Sequence, residues 1–239
     1  MLASILPPGA AAAEMFGDAY GRGELYPAEA AAIAGAASKR RREFTAVRMC
    51  ARDALARAGL PPAALVPGPA GAPAWPPGAV GSMTHCDGYR ACAVARTEVV
   101  AALGIDAEPH EALPPGVLDV VASRSERAAL DRLAKDMPGT CWDRILFCAK
   151  ESVYKAWSPA TGRRLGFDEA DVALDPGGRT FTARLTVPGP AAGGRRIGAY
   201  HGRWLVSGGL IVTAVAVPAA GPSPEGVHPE ACFHGGARP

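Results

Sequence analysis

The sequence predicts an α+β fold laid down twice, because each half of the chain reads as helix followed by strands. Three observations carry this. Residues 28–58 and 142–157 are proline-free helical stretches, each is accompanied by runs with strand alternation, and Gly- and Pro-rich segments separate them. No residue-by-residue repeat accompanies the pattern. Two similar subdomains, 1–105 and 106–220, with a cleft between them and a tail over 221–239, satisfy it, and residues 104–108 then lie at the junction.

The elements follow in order. The opening "MLASILPPGAAAAEMFGD" has no basic start, two prolines and an early Glu14, so it does not read as a signal peptide. From Ala28 to Ala58 alanine, leucine and arginine predict one or two helices, ending at Gly59 and the Pro-Pro beyond. "LPPAALVPGPAGAPAWPPGAV" reads as a turn-rich loop, and residues 80–86 and 91–96 as short strands around "CDGY". "VVAALGIDAEP" is a buried strand emerging into Asp106 and Glu108.

After the loop "HEALPPGV" a helix is expected from Ser123 to Lys135, opened by a capping box of Ser123 and Glu126. A further helix spans Trp142 to Trp157. "RLGFDEADVALD", "RTFTARLTV", "GRWLVSG" and "GLIVTAVAV" then read as antiparallel strands, the last two joined at "SGG" as a hairpin.

Composition excludes several classes. The 239 residues are 49% apolar and 20% charged, a globular balance with enough length for a real core. A net charge of +2 gives no footing for an obligatory nucleic-acid partner. No apolar run approaches the roughly 20 residues of a membrane helix, so a soluble, cytoplasmic protein is expected. Six cysteines without a CxxC pair read as reduced thiols. His228, Cys232 and His234 in the tail have loose metal-ligand spacing, but their Gly/Pro setting reads as a frayed terminus. Arginine outnumbers lysine 21 to 4, as a GC-rich genome would give.

Against that scarcity of lysine, two of the four, Lys150 and Lys155, stand in "LFCAKESVYKAW" with Glu151. On a helix Glu151 and Lys155 share a face, either as an ordinary salt bridge or as half of a site. The surrounding Phe147, Ala149, Val153 and Ala156 make the helix apolar, so a partly buried carboxylate and ammonium need partners. Asp106 and Glu108, two apart on a strand, project from one face as a hard divalent cation requires, or form a solvated strand end. His85 in "GSMTHC" is a phosphate donor or a structural histidine. Arg40, Arg48 and Arg52 in "SKRRREFTAVRMCAR" are surface cations or a phosphate clamp. Three carboxylates for a cation, with histidine, lysine and arginines for phosphates, describe a site for a magnesium-bound pyrophosphate.

"GSMTHC", "GIDAE" and "FCAKESVYKA", in this order and spacing, resemble the phosphopantetheinyl transferases, in particular the Sfp-like class and its enterobactin-synthetase-type actinobacterial branch. "KRRREFTAVRMCARDAL", "PAWP", "AEPHEALPPGVLD", "WDRILFCAKE" and "GRW" extend the resemblance over most of residues 20–217. It implies two pseudo-symmetric α/β subdomains with coenzyme A in the cleft, and transfer of the 4'-phosphopantetheine arm to a serine of an acyl, peptidyl or aryl carrier protein with release of 3',5'-ADP. It implies further that Asp106, Glu108 and Glu151 bind Mg2+, and that Thr84 and His85 contact phosphates. Arg48 and Arg40 would hold the 3'-phosphate, and Glu151 would act as base for the carrier serine. Lys155 would steady the α-phosphate, Lys150 would be a second phosphate contact, and a monomer would suffice.

The loop "VPGPAGAPAWP" departs from relatives in carrying no basic residue near the adenosine phosphates. "GVLDVV" at 116–121, with Arg124 and Arg127 nearby, is the candidate carrier-docking surface or simply core. A coenzyme A-binding sensor without turnover and a Mg2+-dependent nucleotide pyrophosphatase are the competing functions. Retention of Glu151 and Lys155 argues against the first, and release of free phosphopantetheine would mark the second.

Overall fold

In a computed structural model, residues 1–17, 23–68, 71–192 and 195–219 are described. The chain begins with a 3-10 turn, Leu2–Ile5, and strand β1, Ala10–Phe16. Helices α1, Pro27–Ala32, and α2, Ser38–Arg57, follow, then β2, Ala79–Cys86, β3, Tyr89–Arg96, and β4, Val100–Pro109. The second half holds α3, Val117–Val121, α4, Arg124–Asp136, and α5, Trp142–Thr161. Strands β5, Ala170–Asp175, β6, Thr180–Leu185, β9, Ala199–Ser207, and β10, Leu210–Pro218, complete it, with the two-residue β7, Ala191–Ala192, and β8, Arg195–Arg196, between β6 and β9.

The strands form a three-stranded sheet, β1-β3-β2, and a five-stranded sheet, β4-β10-β9-β6-β5, antiparallel throughout. Helix α2 packs on the first sheet through Cys50, Ala51, Ala54 and Leu55, and α5 on the second through Ile145, Ala149, Val153 and Trp157. Helix plus sheet therefore occurs twice, as the sequence pattern predicts. The change of sheet falls between Arg96 and Val100, and residue 105 lies within β4.

Ser123 caps α4 by accepting from the Glu126 N–H while Glu126 reaches back to the Ser123 N–H, the capping box expected from sequence. The "SGG" hairpin joins β9 to β10 with Gly208 and Gly209 at φ +59° and +75°, as a two-residue turn of this hand requires. Strand β1 was not legible in "AAAAEMF"; pairing with β3 along Ala10–Phe16 imposes it on residues of low strand preference. The tail 221–239, with His228, Cys232 and His234, lies outside the described residues.

Candidate active site

The site forms where the two sheets meet. Alternation along β2 places Ser82 and Thr84 on one face, and both are buried against β4. Ser82 Oγ accepts from the Ile105 N–H at 3.0 Å and Thr84 Oγ1 from the Ala107 N–H at 3.1 Å, so hydroxyls take the place of a strand's carbonyls along this seam. Thr84 also donates to Asp106 Oδ1 at 3.1 Å.

Gly104 brings the helix to the strand. A Cβ there would stand 1.9 Å from the Ser152 carbonyl oxygen, so the α5 backbone lies directly on β4 only because residue 104 has no side chain. The approach sets Lys155 Nζ 2.6 Å from Asp106 Oδ1 and 3.4 Å from Thr84 Oγ1. Glu108, on the same strand face, pairs with Arg144 of α5 at 2.8 Å. The remaining Arg144 nitrogens donate to the Glu111 and Ala112 carbonyls. Residues 144, 148, 151 and 155 fall on one side of α5, which is how spacing of three and four could have revealed Arg144 in advance.

The electrostatics are those of crowded anions. Burial, then the neighbouring Asp106, raises the pKa of Glu108 and of Glu151 above the ordinary carboxylate value; Arg144 opposes this for Glu108 and Lys155 for Glu151. Burial disfavours the Lys155 ammonium, but the Asp106 carboxylate, its hydrogen bond and Glu151 together lift its pKa above normal. Asp106 Oδ2 is buried with no hydrogen-bond partner, and Glu151 has no hydrogen-bond partner among the described residues. Among those residues no three His, Cys, Asp or Glu side chains stand close enough to chelate an ion; Lys155 engages Asp106 and Arg144 engages Glu108. The donor set nevertheless fits a hard divalent cation: three carboxylates whose charges repel, one with an orphaned buried oxygen.

Beside this cluster a cleft of about 310 Å³ runs between α2, β2 and α5. Arg40, Arg48, Tyr154 and Lys155 line it, with Pro67 and Gly71–Pro73 of the intervening loop. Arg40 is exposed, and its Nη1 is 3.4 Å from His85 Nε2, which also lies 3.6 Å from Glu43 Oε2. Burial keeps the His85 pKa below the ordinary imidazole value; Glu43 opposes this, while Arg40 and Lys155 add to it. Arg48 is buried over the Phe44 ring, 3.4 Å from its centroid, and spends Nε and Nη2 on the Leu65 carbonyl. Burial pulls its pKa down to about 10. Glu43, three residues after Arg40 on α2, was not singled out from sequence.

Three expectations change. Lys150 is not free to meet a phosphate: its Nζ donates to Glu126 Oε2 at 2.9 Å and to the Phe167 carbonyl at 2.7 Å, and both side chains of the pair are 3% exposed. One residue along a helix turns a side chain by about 100°, enough to send Lys150 away from the face of Glu151 and Lys155. Thr84 is likewise a buried brace on Asp106 and Ala107 rather than an open phosphate contact. Arg52 turns back to Glu29 and the Glu24 carbonyl, outside the cleft. In "GVLDVV", Val121 is core and Val117 and Leu118 pack partly against it, leaving Val120 as the exposed apolar residue at 73%.

No helix among the described residues is long and apolar enough to cross a membrane. A family model for the 4'-phosphopantetheinyl transferase N-terminal domain matches residues 28–95, and one for the 4'-phosphopantetheinyl transferase superfamily matches residues 102–198. The chain is 56% identical to the 4'-phosphopantetheinyl transferase Svp of Streptomyces mobaraensis over 92% of its length and 90% of that protein's. It is 46% identical to the 4'-phosphopantetheinyl transferase PptT of Mycobacterium tuberculosis, covering 91% of this chain and 98% of PptT. Identity to the 4'-phosphopantetheinyl transferase Npt of Nocardia iowensis is 48%, over 90% and 99%. With both its halves matched and relatives alike along nearly their whole length, the chain belongs to the 4'-phosphopantetheinyl transferase superfamily.

Proposed function

We propose that the Asp106–Glu108–Glu151–Lys155 cluster and the adjoining cleft carry out transfer of the 4'-phosphopantetheine arm of coenzyme A to a carrier-protein serine, releasing 3',5'-ADP. The transfer itself follows from family membership and from the relatives' activity. The observation that carries the assignment of residues is the placement of Lys155 on Asp106, with Glu151 one turn back on α5 in electrostatic reach of Asp106 and Glu108, at one end of a cleft whose walls hold Arg40 and Arg48.

In the reaction the serine oxygen forms a bond to the β-phosphorus of the coenzyme A pyrophosphate while the bond from that phosphorus to the oxygen of the departing 3',5'-ADP breaks. A serine hydroxyl is a poor nucleophile near neutral pH, so Glu151 takes its proton, directly or through water. Glu151 suits the task because it is half-buried with its carboxylate uncommitted to any described hydrogen bond, and its raised pKa makes it a better base than an ordinary carboxylate. Asp106, Glu108 and Glu151 would hold Mg2+, which when bound neutralises pyrophosphate charge. Lys155, kept charged by Asp106, sits at the cleft edge to receive negative charge developing on the leaving phosphate. Arg40 and Arg48 hold the 3'-phosphate, and the neutral His85 donates to the pyrophosphate. The exposed Val120 of "GVLDVV" would form part of the apolar surface that docks the carrier protein. Five described cysteines are free, which supports a reducing, cytoplasmic setting.

Intact mass spectrometry of an unmodified carrier protein, incubated with this protein, coenzyme A and Mg2+, tests the reading. It predicts a gain of one phosphopantetheine on the carrier, lost with EDTA. A gain that survives EDTA would remove the metal, and free phosphopantetheine without carrier modification would make the chain a hydrolase.

A further inference from the structure

Leu65 is fully buried, and both its backbone polar groups are held by side chains from distant parts of the chain. Its N–H donates to Glu29 Oε1 at 2.9 Å, and its carbonyl accepts from Arg48 Nε at 3.2 Å and Nη2 at 3.1 Å. Glu29 is itself fully buried, and its second oxygen accepts from the Tyr26 N–H at 3.0 Å and from Arg52 Nη2. Just beyond Leu65 the chain closes a short loop, with the Ala74 N–H on the Val66 carbonyl and the Gly68 N–H on the Ala72 carbonyl. That loop lays Pro67, Gly71, Ala72 and Pro73 along the cleft.

We propose that Glu29 is a positioning residue for the adenosine end of coenzyme A, fixing the Leu65 peptide and through it both the Arg48 guanidinium and the cleft wall of Pro67, Gly71, Ala72 and Pro73. The role rests on the reading that this cleft receives the nucleotide. The loop has no basic residue, so recognition at this end falls to Arg40, to Arg48 and to the shape of the wall. Arg48 commits two of its three nitrogens to the Leu65 carbonyl, and the place of that peptide therefore sets the place of the guanidinium. A carboxylate is needed at position 29, because its two oxygens accept from three donors, one of them cationic. A glutamine keeps a single acceptor and turns an NH2 toward other donors, which loosens the clamp without removing the side chain.

The test compares Glu29→Gln and Glu29→Asp with the wild type in transfer to a carrier protein from coenzyme A and from 3'-dephospho-coenzyme A. The ratio of the two kcat/KM values is independent of the fraction of folded protein, so partial unfolding cannot imitate the effect. For Glu29→Gln the preference for coenzyme A is expected to fall about tenfold, with kcat held within about twofold, the loss of one charge-assisted contact. Glu29→Asp, which keeps the charge, retains more of the preference than Glu29→Gln. A wild-type ratio preserved in Glu29→Gln would overturn the proposal and reduce Glu29 to fold support. Absence of any preference in the wild type would instead overturn the placement of the 3'-phosphate on which the proposal rests.

Discussion

Lys150 and Lys155 sit on one helix, each bonded to a carboxylate, and the two pairs differ in how completely their atoms are satisfied. Around Lys150, Glu126 takes the Ser123 N–H and the lysine on one oxygen and the Val172 N–H on the other, and both partners are 3% exposed. Around Lys155 the lysine is 26% exposed at the cleft, and Asp106 keeps one buried oxygen with no hydrogen-bond partner among the described residues. A closed buried network holds structure, and removing one member leaves an uncompensated charge. An open one, with an orphaned oxygen and two neighbouring carboxylates of raised pKa, is poised to take a ligand. On the proposed function, the same residue type on the same helix thus serves stability in one place and chemistry in the other, and the partners decide which.

The sharpest break in the comparison is Glu151→Gln, which removes the proposed base between the two lysines. Carrier modification is expected to slow by about 10² to 10⁴-fold, with coenzyme A affinity in calorimetry within a few-fold. Wild-type turnover in that variant would end the catalytic role of Glu151. Arg144→Met tests whether the open network depends on a held Glu108: the Mg2+ concentration for half-maximal transfer should rise at least about tenfold, as for loss of an outer partner of a metal ligand. An unchanged metal requirement would leave Arg144 a tether for the 108–112 segment alone.

Gly104→Ala pushes a methyl into the α5 backbone at the Lys155 end. A stability loss of about 1–3 kcal/mol by denaturant titration is expected, with transfer falling in the protein that remains folded. Full activity per folded molecule would show that the close approach does not set the site. The smallest effect belongs to Arg127→Ala, which cuts an ion pair whose side chains are 42% and 71% exposed. Stability should change by no more than about 1 kcal/mol, the level of a surface pair, and a larger loss would undo the contrast between open and closed pairs.

The sequence made much of this legible, for identifiable reasons. The capping box at Ser123 and Glu126, the start of α5 at Trp142 and the "SGG" hairpin are local signals, and all three stand where the residues predicted them. Helix α5 runs on to Thr161 through Pro159, past the expected end at Trp157, and closes at Gly162, whose left-handed backbone lets its N–H donate to the Ser158 carbonyl at 2.8 Å. The carboxylates of "GIDAE" and the lysine one turn beyond Glu151 were legible as a group because strand and helix periods place them on single faces. What Lys150 does was not, since Glu126 lies 24 residues away and nothing in "CAKESVYKA" distinguishes a lysine facing a core carboxylate from one facing a phosphate. The clamp on Leu65 was equally hidden: Glu29 acts on a backbone N–H 36 residues on, and its partners show only in the folded chain.

The most direct test of the contrast between the two networks measures Lys150→Met and Lys155→Met side by side, each by denaturant titration and by carrier modification per folded molecule. Lys150→Met should lose about 3–5 kcal/mol of stability yet transfer at close to the wild-type rate once folded. Lys155→Met, which leaves the buried Asp106 without its cation, should also lose stability but lose transfer per folded molecule by about 10²-fold or more. The reverse pattern, an inactive but stable Lys150→Met beside an active Lys155→Met, would contradict the account.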